Sequence, residues 1–191
     1  MDINTLYDMA PWERPEEGCV PIIKALADKQ AKYEERLKAA EMAAEISIIN
    51  DNMAETLLSI ISDGGESEEL RGQAAISLGP VLEYAYIEEF DEPEEVPIGE
   101  ELYEKIRAKL QQFFHDKQMP EKLRRKILEA SVRAEEDWHY DAVQAAYDSG
   151  DQEWKLTAVF CMPYLPGFDE QILDCLDSQD PRIQYQAVCA A

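Results

Sequence analysis

Apolar residues recur along this chain at intervals of three and four, the period of an amphipathic helix. The clearest short runs are 20–26, with Val20, Ile22, Ile23 and Leu26, and 53–61, with Leu57, Leu58, Ile60 and Ile61. A longer stripe, Ile98, Leu102, Ile106, Leu110, Phe113 and Phe114, predicts a helix of about 17 residues. Further runs lie at 138–147 and 168–176. Gly64-Gly65, Gly150 and Pro166-Gly167 separate them, where helices must stop. The pattern predicts helices throughout and no β-sheet.

One pattern repeats. It reads: an apolar residue, a base, two free positions, two small or apolar residues, one free position, then Ala-like, Leu-like and Gly-like residues. Leu70-Arg71-Gly72-Gln73-Ala74-Ala75-Ile76-Ser77-Leu78-Gly79 fits almost throughout. Copies begin at Leu123, Trp154 and Ile183, the last with Gln184 in place of the base, and a weaker one begins at Glu35. Small residues at the fifth and sixth positions let helices approach closely. Ser67, Asp151 and Asp180, the last followed by Pro181, stand where helix N-caps belong.

These residues resemble the HEAT-like repeat family, in particular the short bacterial, phycobilin-lyase-type repeats. The resemblance covers about residues 20–191 and rests on packing residues, so it speaks to fold and hardly to function. It implies an all-α, right-handed α-solenoid of about five stacked antiparallel helix hairpins, a single domain over 1–191. Residues 1–18 would be an N-terminal cap, through Ile3, Leu6, Tyr7, Met9 and Trp12, or else a tail, and 19–191 the repeats. Unit boundaries are expected near 31–66, 67–119, 120–150, 151–179 and 180–191. An acidic insertion around 80–120 accounts for the long interval between the copies at 70 and 123. Because the last copy stops at Ala190-Ala191, the chain reads as an N-terminal fragment of a longer repeat protein, with an apolar face at 181–191 open to weak self-association.

Charge narrows the partners. Forty-one acids against eighteen bases give −23 at pH 7, which argues against nucleic acid and anionic membrane surfaces. From Gly72 to Glu104 there are ten acids and no lysine or arginine, while nine bases fall between Lys105 and Arg133. These blocks pair with each other or face water, or the acids form a ridge for a basic partner. Contact of the bases with nucleic acid is the third reading, opposed by the overall charge.

Chemistry is sparse. The cysteines Cys19, Cys161, Cys175 and Cys189 form no C-x-x-C pair and read as small, buried, reduced side chains. The start lacks a signal-peptide pattern, and no apolar run reaches membrane-spanning length, so the expected compartment is the cytoplasm. His115 and His139 belong to no metal-binding or catalytic spacing. HEAT-like enzymes bind iron through repeated His-Glu pairs or hold DNA in a basic groove, and this chain carries neither feature. No catalytic, metal or cofactor residue is nominated.

The expected function is a non-enzymatic protein–protein interaction scaffold or adaptor presenting an acidic curved surface to a protein with a basic segment. The alternative is a lyase-type enzyme or chromophore-handling subunit resembling phycobilin lyases. Candidate interaction residues are Glu88, Glu89, Asp91, Glu92, Glu94 and Glu95 in the acidic stretch. To these we add Glu101, Trp138, His139, Asp141 and Gln144, expected to be exposed on or near the second helices.

Overall fold

A computed structural model of the protein describes residues 2–191, with Glu16 described by its backbone only. Met1, part of the expected cap, lies outside the described residues. The described chain is all-helical, with no strand. Its helices are α1 (Ile3–Asp8), α2 (Cys19–Ala27), α3 (Tyr33–Met42), α4 (Asp51–Ser62), α5 (Glu68–Glu88) and α6 (Glu100–His115). They continue with α7 (Glu121–Ser131), α8 (Asp137–Asp148), α9 (Gln152–Cys161), α10 (Asp169–Cys175) and α11 (Pro181–Ala190). Among the described residues, no helix is long and apolar enough to cross a membrane.

Helix starts follow the caps. Ser67 Oγ accepts the Leu70 N–H, and Asp151 Oδ1 accepts those of Glu153 and Trp154. Asp180 Oδ1 accepts the Arg182 N–H, with Pro181 at the first helical position. Each bond satisfies an amide that the helix leaves orphaned.

The packing is local. Substantial contacts join only elements at most two helices apart in sequence. Helices α1, α3, α5, α7, α9 and α11 form a row in which each touches the next, and α2, α4 and α6 touch in the same order. The repeat's fifth and sixth positions lie in these contacts. Ala39, Ala40, Ala74, Ala75, Ile127, Leu128, Ala158 and Val159 are all fully buried. On α11, Ala187 is buried while Val188 is 63% exposed.

The expected unit boundaries need correction. They would pair α3 with α4, α5 with α6 and α7 with α8. Instead the closely packed sequential pairs are α2–α3, α4–α5, α6–α7, α8–α9 and α10–α11. The expected units begin at or near the caps Ser67, Asp151 and Asp180, but a cap marks where a helix begins and not which neighbour it packs on. Short turns such as 28–32, 63–67 and 116–120 join the partners.

The repeated base explains this pairing. Arg36 Nη2 donates to the Leu26 carbonyl at 2.9 Å, and Arg71 Nε to that of Ile61 at 2.9 Å. Arg124 Nε donates to the Phe114 carbonyl at 2.6 Å, and Gln184 Nε2 to that of Leu176 at 2.8 Å. Each carbonyl lies in or beside the last turn of the preceding helix, where carbonyls lack intrahelical partners. The base is therefore a clasp between the two helices of a pair. Lys155 departs from this and lies 4.7 Å from the Tyr147 ring centre. Arg36 is 6% exposed and its charge is held by both carboxylate oxygens of Glu66, at 2.7 and 2.8 Å.

At the start of the chain, α1 packs on α3 with Leu6 fully buried. Arg14 fixes this segment by donating to the carbonyls of Leu6, Tyr7 and Met9 and pairing with Glu45. Trp12, expected to cover the first helices, is 85% exposed. Cys161 and Cys175 are buried as expected, but Cys189 is exposed on α11.

The long repeat interval is made by α5, which runs through Pro80, and by the loop that follows it. Helix α5 passes close to α7 at Gly79, where an added side chain would displace the Arg133 side chain and would only touch the α7 backbone. A Cβ there would stand 2.8 Å from Arg133 Cδ and 3.5 Å from Ala130 Cα.

Candidate functional site

The acidic segment begins where α5 ends. Glu89 and Phe90 both adopt left-handed backbone, with φ of 49° and 56°, a conformation costing L-residues roughly 1–2 kcal/mol each. The Phe90 ring pays part of this by packing edge-on to Tyr103, 5.4 Å between centroids. The far end is fixed by buried Val96 and Ile98 and by a 2.8 Å bond from the Gly99 N–H to Asp51 Oδ1. Between these anchors, Asp91, Glu92, Glu94 and Glu95 are exposed, as is Glu89, while Glu88 is half-buried.

Ion pairing separates the two blocks of charge. Of the ten acids between Gly72 and Glu104, Glu83 pairs with Arg133 and Glu104 with Arg107. Among the described residues, the remaining eight have no ion-pair partner. The neighbouring bases turn elsewhere: Lys105 to Glu55, Arg107 also to Glu136, Arg125 to Glu153 and Lys126 to Glu129. Glu101, exposed on the first turn of α6, borders a shallow polar groove with Lys105 and Glu55.

A second site lies where α6, α7, α8 and α9 meet. Trp138 and Asp141 border a groove of about 450 Å³ together with Phe114, Arg124 and Trp154. The Phe114 centroid is 5.1 Å from Trp138 and 6.3 Å from Trp154. The Arg124 guanidinium lies 5.3 Å from the Phe114 ring and 5.6 Å from that of Trp154, within cation–π range. Indole N–H groups are satisfied by Glu136 for Trp138 and by Glu121 for Trp154. Gln144 does not border this groove; it bonds Asp148 at 2.7 Å.

His139, expected at the surface, is fully buried. The start of α8 draws it inward. Its Nδ1 accepts the Glu136 N–H at 2.9 Å, while the Glu136 carboxylate accepts an amide of the helix start, a reciprocal capping box. With Nδ1 accepting, the proton resides on Nε2, which donates to Ser131 Oγ at 3.0 Å. Burial, with a smaller contribution from Arg107, lowers its pKa to about 3. A neutral, enclosed imidazole of this kind is a packing and capping group.

Buried Glu129 is likewise fully engaged, accepting from Thr157 Oγ1 at 2.8 Å and Lys126 Nζ at 2.7 Å. Beside it, burial pushes the Cys161 thiol well above its ordinary pKa, which keeps it from acting as a thiolate. No three His, Cys, Asp or Glu side chains converge as a metal site among the described residues.

Sequence reasoning reached Trp138 and Asp141 but missed Phe114, Arg124 and Trp154. Each had been assigned to a packing stripe or to the repeat. No local sequence signal announces them, because the base at 124 is tied to the helix carrying Phe114 only by the clasp formed in the fold. Compared with known proteins, the chain matches no family model and no curated protein.

Proposed function

We propose that this chain is a HEAT-like α-solenoid serving as a non-enzymatic interaction module, in which the acidic segment 88–101 engages a basic segment of a protein partner. The observation that carries the reading is the set of eight unpaired carboxylates beside an anchored loop, while nearby bases are committed elsewhere. Tyr86 and Ile87, 41% and 67% exposed at the end of α5, add apolar contact area next to the charge, as interface cores require. The solenoid part is supported by the sequence-local packing, the continuous helix row and the recurring clasp. A right-handed stack of five antiparallel hairpins, one per close pair, accommodates all three. Buried, unpaired Cys161 and Cys175 suit a cytoplasmic setting.

The test uses the full chain and a lysine-rich peptide. One variant carries Asp91→Asn, Glu92→Gln, Glu94→Gln and Glu95→Gln. A matched variant neutralises four exposed acids elsewhere, Asp169, Glu170, Asp174 and Asp177. Affinity should fall with salt and fall further in the first variant than in the second. Equal loss in both would show that the peptide senses net charge alone and would sink the assignment to this segment.

A further inference from the structure

We propose that the groove bounded by α6, α7, α8 and α9 is a binding site for a free aromatic anion built on two or three fused rings. The walls are Phe114, Trp138 and Trp154, and the floor is made by the alanines of α8, of which Ala145 is exposed. Small alanines beside these rings leave an open groove whose volume of about 450 Å³ lies within the range of small-ligand sites. Because the Phe114 and Trp138 ring centres are 5.1 Å apart, a ligand lies against the ring edges that border the groove. Trp138 and Trp154 are half-buried, and part of each ring borders the groove where it can contact a ligand.

Charge selects the ligand's sign. Arg124 spends Nε on the Phe114 carbonyl, and its two Nη groups make no hydrogen bond within the described protein. The guanidinium sits at the groove within 5.3 Å of the Phe114 ring centre and 5.6 Å of that of Trp154. Lys117 stands at the same groove with no ion-pair partner among the described residues. Lys105, Arg107, Arg125, Lys126 and Arg133 are each paired to a carboxylate. Of the bases in this block without an ion pair among the described residues, Arg124 and Lys117 border this aromatic groove, and Lys109 and Lys122 do not. A carboxylate or sulfonate can meet Arg124 in the bidentate fashion that guanidinium favours. Asp141 borders the slot as the opposing charge and should weaken anion binding. The site is independent of the acidic segment and of its basic partner.

The probe is anilinonaphthalene sulfonate, with uncharged phenylnaphthylamine as comparator, titrated into the full chain. Probe emission excited through tryptophan is recorded for each variant, and circular dichroism checks folding. The sulfonate should bind one to one and at least about fivefold more tightly than the neutral amine, the effect of roughly one exposed charge contact. Lys117→Glu should weaken it about fivefold and Asp141→Lys strengthen it by a similar factor. Ala145→Trp, a substitution at an exposed floor position, should fill the slot and abolish binding. Val188→Ser, which removes exposed apolar surface on α11, should change nothing. The proposal is overturned if the neutral amine binds as well as the sulfonate. Binding that survives Ala145→Trp, or that ignores both charge changes, overturns it as well.

Discussion

His139 provides a quantitative test of the interior. Replacing it with Gln keeps the reciprocal helix cap, because an N3 glutamine can accept the same Glu136 N–H, and removes the titratable ring. In the unfolded chain an imidazole titrates near 6.5, whereas in the folded protein burial holds it near 3. Below pH 6.5 the unfolded state therefore takes up a proton that the folded state refuses. Stability from this group is complete above 6.5, falls as pH drops through 6.5, and continues falling until about pH 3. Each pH unit in that window is worth about 1.4 kcal/mol. Between pH 7.5 and 5 the wild type should lose about 2 kcal/mol that His139→Gln does not. Carboxylates lowered by their partners, such as Glu66 beside Arg36 and Glu153 beside Arg182, affect both proteins alike and cancel. Urea unfolding at the two pH values, followed by circular dichroism and tryptophan emission, measures the difference. Were it unchanged to within about 0.5 kcal/mol, the buried neutral imidazole would be wrong.

Other perturbations test the packing. Arg36→Met should cost about 3 kcal/mol, because it strands the Glu66 carboxylate, only 10% exposed at its side chain; adding Glu66→Met should recover part of that loss in a double-mutant cycle. Ala75→Glu or Ala158→Glu places a carboxylate at a fully buried position and should cost several kcal/mol. Unchanged melting curves for both would show that the repeat register is misplaced. On α11, Ala187→Asp should be strongly destabilising while Val188→Asp stays within about 0.5 kcal/mol, since the first is enclosed and the second is 63% exposed.

The helices and their buried faces were legible because each is specified within a few residues. The stripe through Leu102, Ile106 and Leu110, the caps at Ser67, Asp151 and Asp180, and the small pairs such as Ala74-Ala75 all occupy their expected roles. Pairing was not legible in the same way. It depends on a side chain reaching back ten positions to a carbonyl, as Arg71 does to Ile61, and the repeated base carries no mark of its target. The burial of His139 was hidden for a related reason. A polar, aromatic helix start looks surface-exposed until the reciprocal cap turns its third residue inward. The aromatic groove takes its walls from three helices, so no local pattern announces Phe114, Trp138 and Trp154 as neighbours.

The clasp also bears on how this chain displays charge. Arg36, Arg71 and Arg124 direct guanidinium donors to backbone carbonyls between paired helices, and Arg36 and Arg71 are almost wholly buried. Positive charge is thus spent holding helices together, while the acids of 88–101 face solvent. The position of the segment between α5 and α6 keeps the two roles apart. Across it, α5 still packs on α7, and α6 still pairs with α7 and touches α4, so the row of helices is uninterrupted. The loop is restrained at Phe90 and Val96 rather than by its carboxylates. Substitutions among Asp91, Glu92, Glu94 and Glu95 consequently have little folded structure to disturb. Their effects should appear in association with a charged partner and in its salt dependence, with the unfolding midpoint almost unmoved.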